Sequence, residues 1–158
     1  MNNLFLAKLR QWLVPNRTIW QSIFLLLIRL YWGWGFFQTG KGKLSNIAQP
    51  TQFFQSLGIP FPHAQAILCG TTECIGGLLL LVGLLSRLIS IPLTILLIVA
   101  YLTADIALVK NIFGDPDKFL AADEFLFLYT VLIVLLFGPG KFSLDWLFAG
   151  RKGRSQAV

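Results

Sequence analysis

Four apolar runs, residues 18–39, 64–85, 88–109 and 123–137, leave this chain few ways to fold. An α-helix needs about 20 apolar residues to cross a bilayer core; the first three runs meet that and the fourth falls short. Lipid offers the backbone no hydrogen bonds, and a helix satisfies its own, so the runs read as spanning helices. Charged residues make up 13% of the chain, well under the ~25% of an ordinary soluble domain. The sequence thus predicts an all-α fold, an integral membrane four-helix bundle over residues 17–140, with short interfacial helices at both ends.

The flanks and connections fit that frame. LFLAKLRQWLV, residues 4–14, reads as an amphipathic helix with Lys8 and Arg10 on its polar side, suited to the membrane interface. Pro15 and Asn16 are expected to end it, which sets off residues 1–16. The opening MNNLFLAKLRQW has no sustained apolar core ending in small residues, so no cleaved leader is expected. Residues 40–63 form a polar connection holding GKGKLSN, a short helix in TQFFQSLG and the turn-rich GIPFPH. Only Ser86 and Arg87 separate the second and third runs, and Pro92 falls early in the third, where proline is tolerated. KNIFGDPDKFLAA, residues 110–122, is the next loop. After the GPG stop, residues 141–158 read as an interfacial segment, KFSLDWLF, and a basic tail.

The net charge of +6 does not point to nucleic acid, because the basic residues sit at the ends of apolar runs, where they set topology. One side holds Lys8, Arg10, Arg17, Arg87, Lys141, Arg151, Lys152 and Arg154; the other holds Lys41, Lys43, Lys110 and Lys118 among acidic neighbours. The imbalance predicts a multi-pass protein with both termini in the cytoplasm and the lipid bilayer as its main partner.

Arg29, Glu73 and Asp105 fall inside the runs, where an ionisable group costs about 2.5–3.5 kcal/mol and needs a partner. Counted from the expected outer ends at 1.5 Å per residue, Arg29 lies roughly 15 Å deep and Glu73 roughly 13–14 Å. Matching depths predict an Arg29–Glu73 ion pair. Ser22, Gly33, Phe36 and Gly40 share the Arg29 stripe, and Cys69, Gly70, Gly76, Gly77 and Leu80 flank Glu73. Small residues beside a buried charge let helices approach closely, so GTTECIGG reads as a helix interface containing a carboxylate.

Such a pair can simply fix helix register, or it can belong to a pocket. For a pocket in the outer half, Arg29, Glu73, Trp32, Phe36, Gln38, Lys43, Asp105 and Glu124 are the candidate ligand-binding residues. Glu73 and Glu124 are the candidates for proton exchange. Asp123, Lys41 and His63 stand near the same mouths, while Trp34 points away toward lipid. Aromatic residues in a span more often pack or anchor than line a site, yet an apolar cavity with a few polar groups is the default binding site. A quinone head group suits it, with carbonyls for Arg29 and a ring for the aromatics.

Other chemistry finds little support. Cys69 and Cys74 are five apart on one helix, roughly 8–9 Å between Cα atoms, too far for a disulfide. They read as small apolar fillers. DPD at residues 115–117 lacks the spacing of a calcium loop. His63, the one histidine, has no zinc-binding frame, so no metal is expected. No dinucleotide fingerprint, Walker loop or nucleophile elbow occurs, so no covalently bound cofactor is expected and an enzyme here would not carry its cofactor machinery unaided.

Several motifs in order carry a resemblance: Arg29, the G-x-x-K-L of Gly40 to Leu44, GIPFP at 58–62, the E-x-x-G-G of Glu73 to Gly77 running into LLLLVGLLSR, and GPGKFSLD at 138–145. Across about residues 24–147 the chain resembles the DoxX family of small bacterial four-helix membrane proteins. The resemblance implies the bacterial inner membrane and a subunit of a quinone- or thiol-linked redox system. It also implies that Arg29, Glu73, the Gly40–Lys43 turn and Glu124 are the polar positions of note. The chain departs from a self-sufficient thiol protein in having no cysteine pair at an exposed mouth. Three readings stay open: a redox subunit with redox partner proteins and a small lipophilic ligand, a non-catalytic scaffold or assembly partner, and a small-solute or proton-coupled transporter. An oligomer is compatible with each.

Overall fold

A computed structural model describes the backbone of residues 3–148 and the side chains of residues 19–148. It is all-helical, with no strand among the described residues. The elements are α1 (Asn3–Ser45), α2 (Ala48–Ser56), α3 (Pro62–Val82), α4 (Ser86–Thr103), α5 (Ile106–Lys110), α6 (Pro116–Leu120) and α7 (Asp123–Phe137). The four longest close a ring of neighbours: α1 packs on α3, α3 on α4, α4 on α7 and α7 on α1. Phe36, Leu80, Leu93, Leu97, Val131 and Val134 fill the centre of that ring.

The inward stripes follow helical periodicity. On α1 the buried positions are Ser22, Leu25, Arg29, Gly33, Phe36 and Gly40, spaced by threes and fours. On α4 they are Ser86, Ser90, Leu93, Leu97 and Tyr101. The outward faces are apolar, with Trp20, Phe24 and Leu27 on α1, Leu68 and Ile75 on α3, Leu88 and Ile95 on α4, and Leu136 on α7 all exposed. Trp34 points outward as expected, 52% exposed. Among the described residues, two helices, α3 and α4, are long and apolar enough to cross a membrane.

The closest packing is between α1 and α3. Gly33 lies against Gly77 and Gly40 against Gly70 and Cys74, backbone on backbone. A Cβ at Gly40 would meet the Cys74 nitrogen, and one at Gly77 the Phe37 nitrogen, both inside van der Waals contact. Glycine in a helix interior costs about 0.5–1 kcal/mol against alanine; here it permits the interhelical approach that small residues favour.

That contact explains the largest departure from the sequence reading. GKGKL is not a loop: α1 continues through it to Ser45, because Gly40 is held against α3. Toward its start, α1 runs unbroken through Pro15 and Asn16, where a break is expected. Its 43 residues span about 65 Å at 1.5 Å per residue. The sides that residues 4–14 present, and the basic tail beyond residue 148, lie outside what is described.

The other boundaries shift less. The third helix stops at Thr103 rather than at residue 109, since Ala104 and Asp105 both turn back onto the Ala100 carbonyl before α5 begins. The expected loop over residues 110–122 contains α6. α2 occupies the place of the expected short helix, and α7 covers residues 123–137 as expected.

Candidate functional site

The glycine contacts fix the register of two antiparallel helices. Gly33 and Gly40 on α1 meet Gly77 and Gly70 on α3, so Glu73 faces the stretch just past Phe36. Arg29 faces the far end of α3, at Leu80 and Gly83. The expected Arg29–Glu73 ion pair therefore does not form. The depth estimate took Thr39 as the end of the first helix; continuing to Ser45 adds six residues, roughly 9 Å, and moves Arg29 away from Glu73. Polar groups gather instead in separate places.

The first is between α1 and α3 at the end nearer α2. Lys43 Nζ lies 2.5 Å from Glu73 Oε1 and 3.5 Å from Cys69 Sγ, and the Cys69 thiol donates toward the same Oε1 at 3.6 Å. The Glu73 side chain is 5% exposed and that of Lys43 33%, so the lysine reaches in from the surface to a buried carboxylate. Glu73 Oε2 is buried and accepts no hydrogen bond among the described residues. A buried carboxylate oxygen without a donor is costly.

The second is at the opposite end, around the α3–α4 turn. Arg29 is fully buried, and each of its three nitrogens donates to a backbone carbonyl: Nε to Leu25 at 3.3 Å, Nη1 to Leu80 at 3.4 Å and Nη2 to Phe142 at 2.6 Å. Gly83 ends α3 in the left-handed conformation, φ 70°, with Leu84 N–H bonded to the Leu79 carbonyl. Its missing side chain leaves room for Arg29 Nη1 and for Ser143. Leu85, also left-handed at φ 50°, donates its N–H to Asp145 Oδ1 at 2.7 Å, and Ser86 N–H donates to Oδ2 at 3.0 Å. The Asp145 carboxylate thus caps α4 from a distant part of the chain, close enough to Arg29 to act on it electrostatically. The GPGKFSLD segment is clasped by Arg29 and clasps the turn in return.

The remaining expected site residues are dispersed. Trp32 and Phe36 stack edge-on against Phe127 of α7, at 4.9 and 4.6 Å between ring centres, and so belong to the packing of the bundle. Gln38 is exposed. Asp105 and Glu124 both act electrostatically on Tyr101, whose hydroxyl donates to the Phe119 carbonyl at 3.3 Å. His63 Nδ1 sits 3.5 Å from Thr51 Oγ1 and ties α3 to α2. Cys69 and Cys74 are free thiols. No group of metal-ligating residues gathers among the described residues.

Sequence reasoning placed Lys43 at the mouth but missed its partner, and it missed Asp145. The signal for the first was present: glycines seven apart on both helices, Gly33 and Gly40, Gly70 and Gly77, set the antiparallel register. Nothing local in the sequence points from Asp145 to the turn it caps.

An all-helical chain with apolar outward faces, two helices able to cross a membrane and ionisable groups buried between its helices is a membrane protein of small size. A family model described as DoxX matches residues 24–106. Among curated proteins, "Putative oxidoreductase CatD" of Bacillus subtilis (strain 168) is 32% identical over 128 residues, covering 80% of this chain and 89% of that protein. An uncharacterized protein of Haemophilus influenzae is 28% identical over 134 residues, covering 82% and 85%. The chain belongs to the DoxX family. No solved structure matches.

Proposed function

We propose that this protein is the membrane subunit of a quinone- or thiol-linked redox system, and that it binds a small lipophilic ligand at Lys43, Cys69 and Glu73. The observation that carries this is the buried Glu73 Oε2 with no donor, beside a lysine and a thiol and within an apolar helix interface. Support also comes from the likeness to a relative named as an oxidoreductase.

All four long helices cross the membrane in this reading, since each turns apolar side chains outward while Ser22, Arg29, Glu73, Ser90 and Thr130 are buried. A soluble helix has the opposite pattern. The excess of lysine and arginine puts both termini in the cytoplasm of a bacterial inner membrane. Residues 17–140 are then the spanning domain, with interfacial segments before and after.

The reduced form of a quinone fits the orphan oxygen, because a quinol hydroxyl is a donor and Glu73 Oε2 an acceptor. When bound, it supplies a carrier of electrons and protons. Lys43 Nζ would hold a ring oxygen, Glu73 would accept the proton of a quinol hydroxyl at Oε2, and the apolar faces of α1 and α3 would exclude water. Arg29, assigned to the ligand on sequence grounds, serves the fold in this reading, since its nitrogens are bonded to the backbone. Mass spectrometry of quinones extracted from protein purified in mild detergent tests the proposal. Near one quinone per chain in the parent, lost in Glu73→Gln, is the expected result. No enrichment in the parent would favour the scaffold reading instead.

A further inference from the structure

A cleft of about 420 Å³ opens at the α3–α4 turn, remote from Glu73. Arg87 and Lys141 stand on its walls, both exposed and neither ion-paired among the described residues. The Arg87 guanidinium lies along Gly138, where a Cβ would stand 3.2 Å from Nε and Nη2. Lys141 is fixed through its backbone, whose N–H donates to Ser22 Oγ at 3.2 Å. Asp145 also lines the cleft, but both its oxygens are engaged by the N–H groups of Leu85 and Ser86. Asp145 keeps its negative charge, so the cleft carries two cations against one carboxylate, a net positive charge, and neither cation forms an ion pair with Asp145.

A second cleft, about 370 Å³, adjoins it and shares Arg87, Pro139 and Asp145; its other walls are Leu85 and Leu88, both exposed and apolar. The two candidate spanning helices end here, α3 at Val82 and α4 beginning at Ser86. With α3 and α4 spanning the bilayer, as read above, their ends lie at the level of the lipid phosphates. Trp146, 51% exposed on the polar cleft, is a residue type enriched at that depth.

We propose that this double cleft binds an anionic phospholipid, with the phosphate between Arg87 and Lys141 and the glycerol and an acyl chain over Leu85 and Leu88. Guanidinium groups pair with phosphate through two parallel hydrogen bonds, and a lysine beside one adds a point charge. A choline headgroup brings its own cation toward these two and is disfavoured. The proposal rests on α3 and α4 crossing the membrane, and not on the redox reading.

Native mass spectrometry of the full chain, released from detergent holding equal amounts of phosphatidylglycerol and phosphatidylcholine, tests it. Phosphatidylglycerol should be retained at least tenfold over phosphatidylcholine, and the double variant Arg87→Gln, Lys141→Gln should lower that preference about tenfold. Lys118→Gln, at an exposed position far along the chain, should leave it unchanged. Equal retention of the two lipids by the parent, which needs no variant to fold, would overturn the proposal. So would a folded double variant that keeps the preference, or millimolar inorganic phosphate that displaces phosphatidylglycerol and raises the melting temperature as much. Quinone content is measured separately, so failure here leaves the redox reading standing.

Discussion

Arg29 and Glu73 are both buried charges on facing helices, but their surroundings differ in kind. Every nitrogen of Arg29 has a carbonyl to bond, and a carboxylate stands near. Glu73 has one oxygen bonded by Lys43 and the other left without a donor. The first environment is complete and leaves nothing for a ligand to add. The second is one donor short, at a place a surface lysine already reaches. Completeness of the polar shell, more than burial, separates a group that holds the fold from one that is available for chemistry.

The largest expected effect breaks the Arg29 side of that contrast. Arg29→Leu removes the clasp on the GPGKFSLD segment and leaves three carbonyls without their charged donor, which should cost about 3 kcal/mol or more at ~1.5–3 kcal/mol for each such bond. Unfolding by denaturant in detergent, followed by tryptophan fluorescence, measures it, and quinone content in the remaining folded fraction should be unchanged. Asp145→Asn comes next. It weakens two bonds that cap α4 and should cost about 1–2 kcal/mol, the usual range for a lost cap, measured by the same titration. Lys118→Ala removes an exposed pair with Asp115, in which the lysine is 73% exposed. A change under about 1 kcal/mol is expected, read as an unmoved melting temperature, which sets the floor against which the other two are judged.

Much of this arrangement was legible in the sequence because helical periodicity is. The small-residue stripes on α1 and α3, the outward Trp34 and the range of α7 all follow from spacing alone. Helix ends were less legible. Gly40 and Gly42 look like a stop signal, yet Gly40 is a contact point with α3, and only tertiary packing distinguishes the two. That one misread boundary moved Arg29 opposite Glu73 and joined two separate polar sites into one. Pairing glycine with glycine, instead of measuring depth from helix ends, would have kept them apart. The Asp145 cap was beyond reach, since it joins residues some 60 positions apart and depends on how a loop folds back.

Double-mutant cycles between the charges, read as unfolding free energy, test this division most directly. Glu73→Gln is combined in turn with Lys43→Met and with Arg29→Leu. Coupling of about 1 kcal/mol or more is expected for Lys43 with Glu73, and coupling within the ~0.3–0.5 kcal/mol of independent sites for Arg29 with Glu73. Strong coupling of Arg29 to Glu73, with none from Lys43, would contradict the helix register and the separation of the two sites that follows from it.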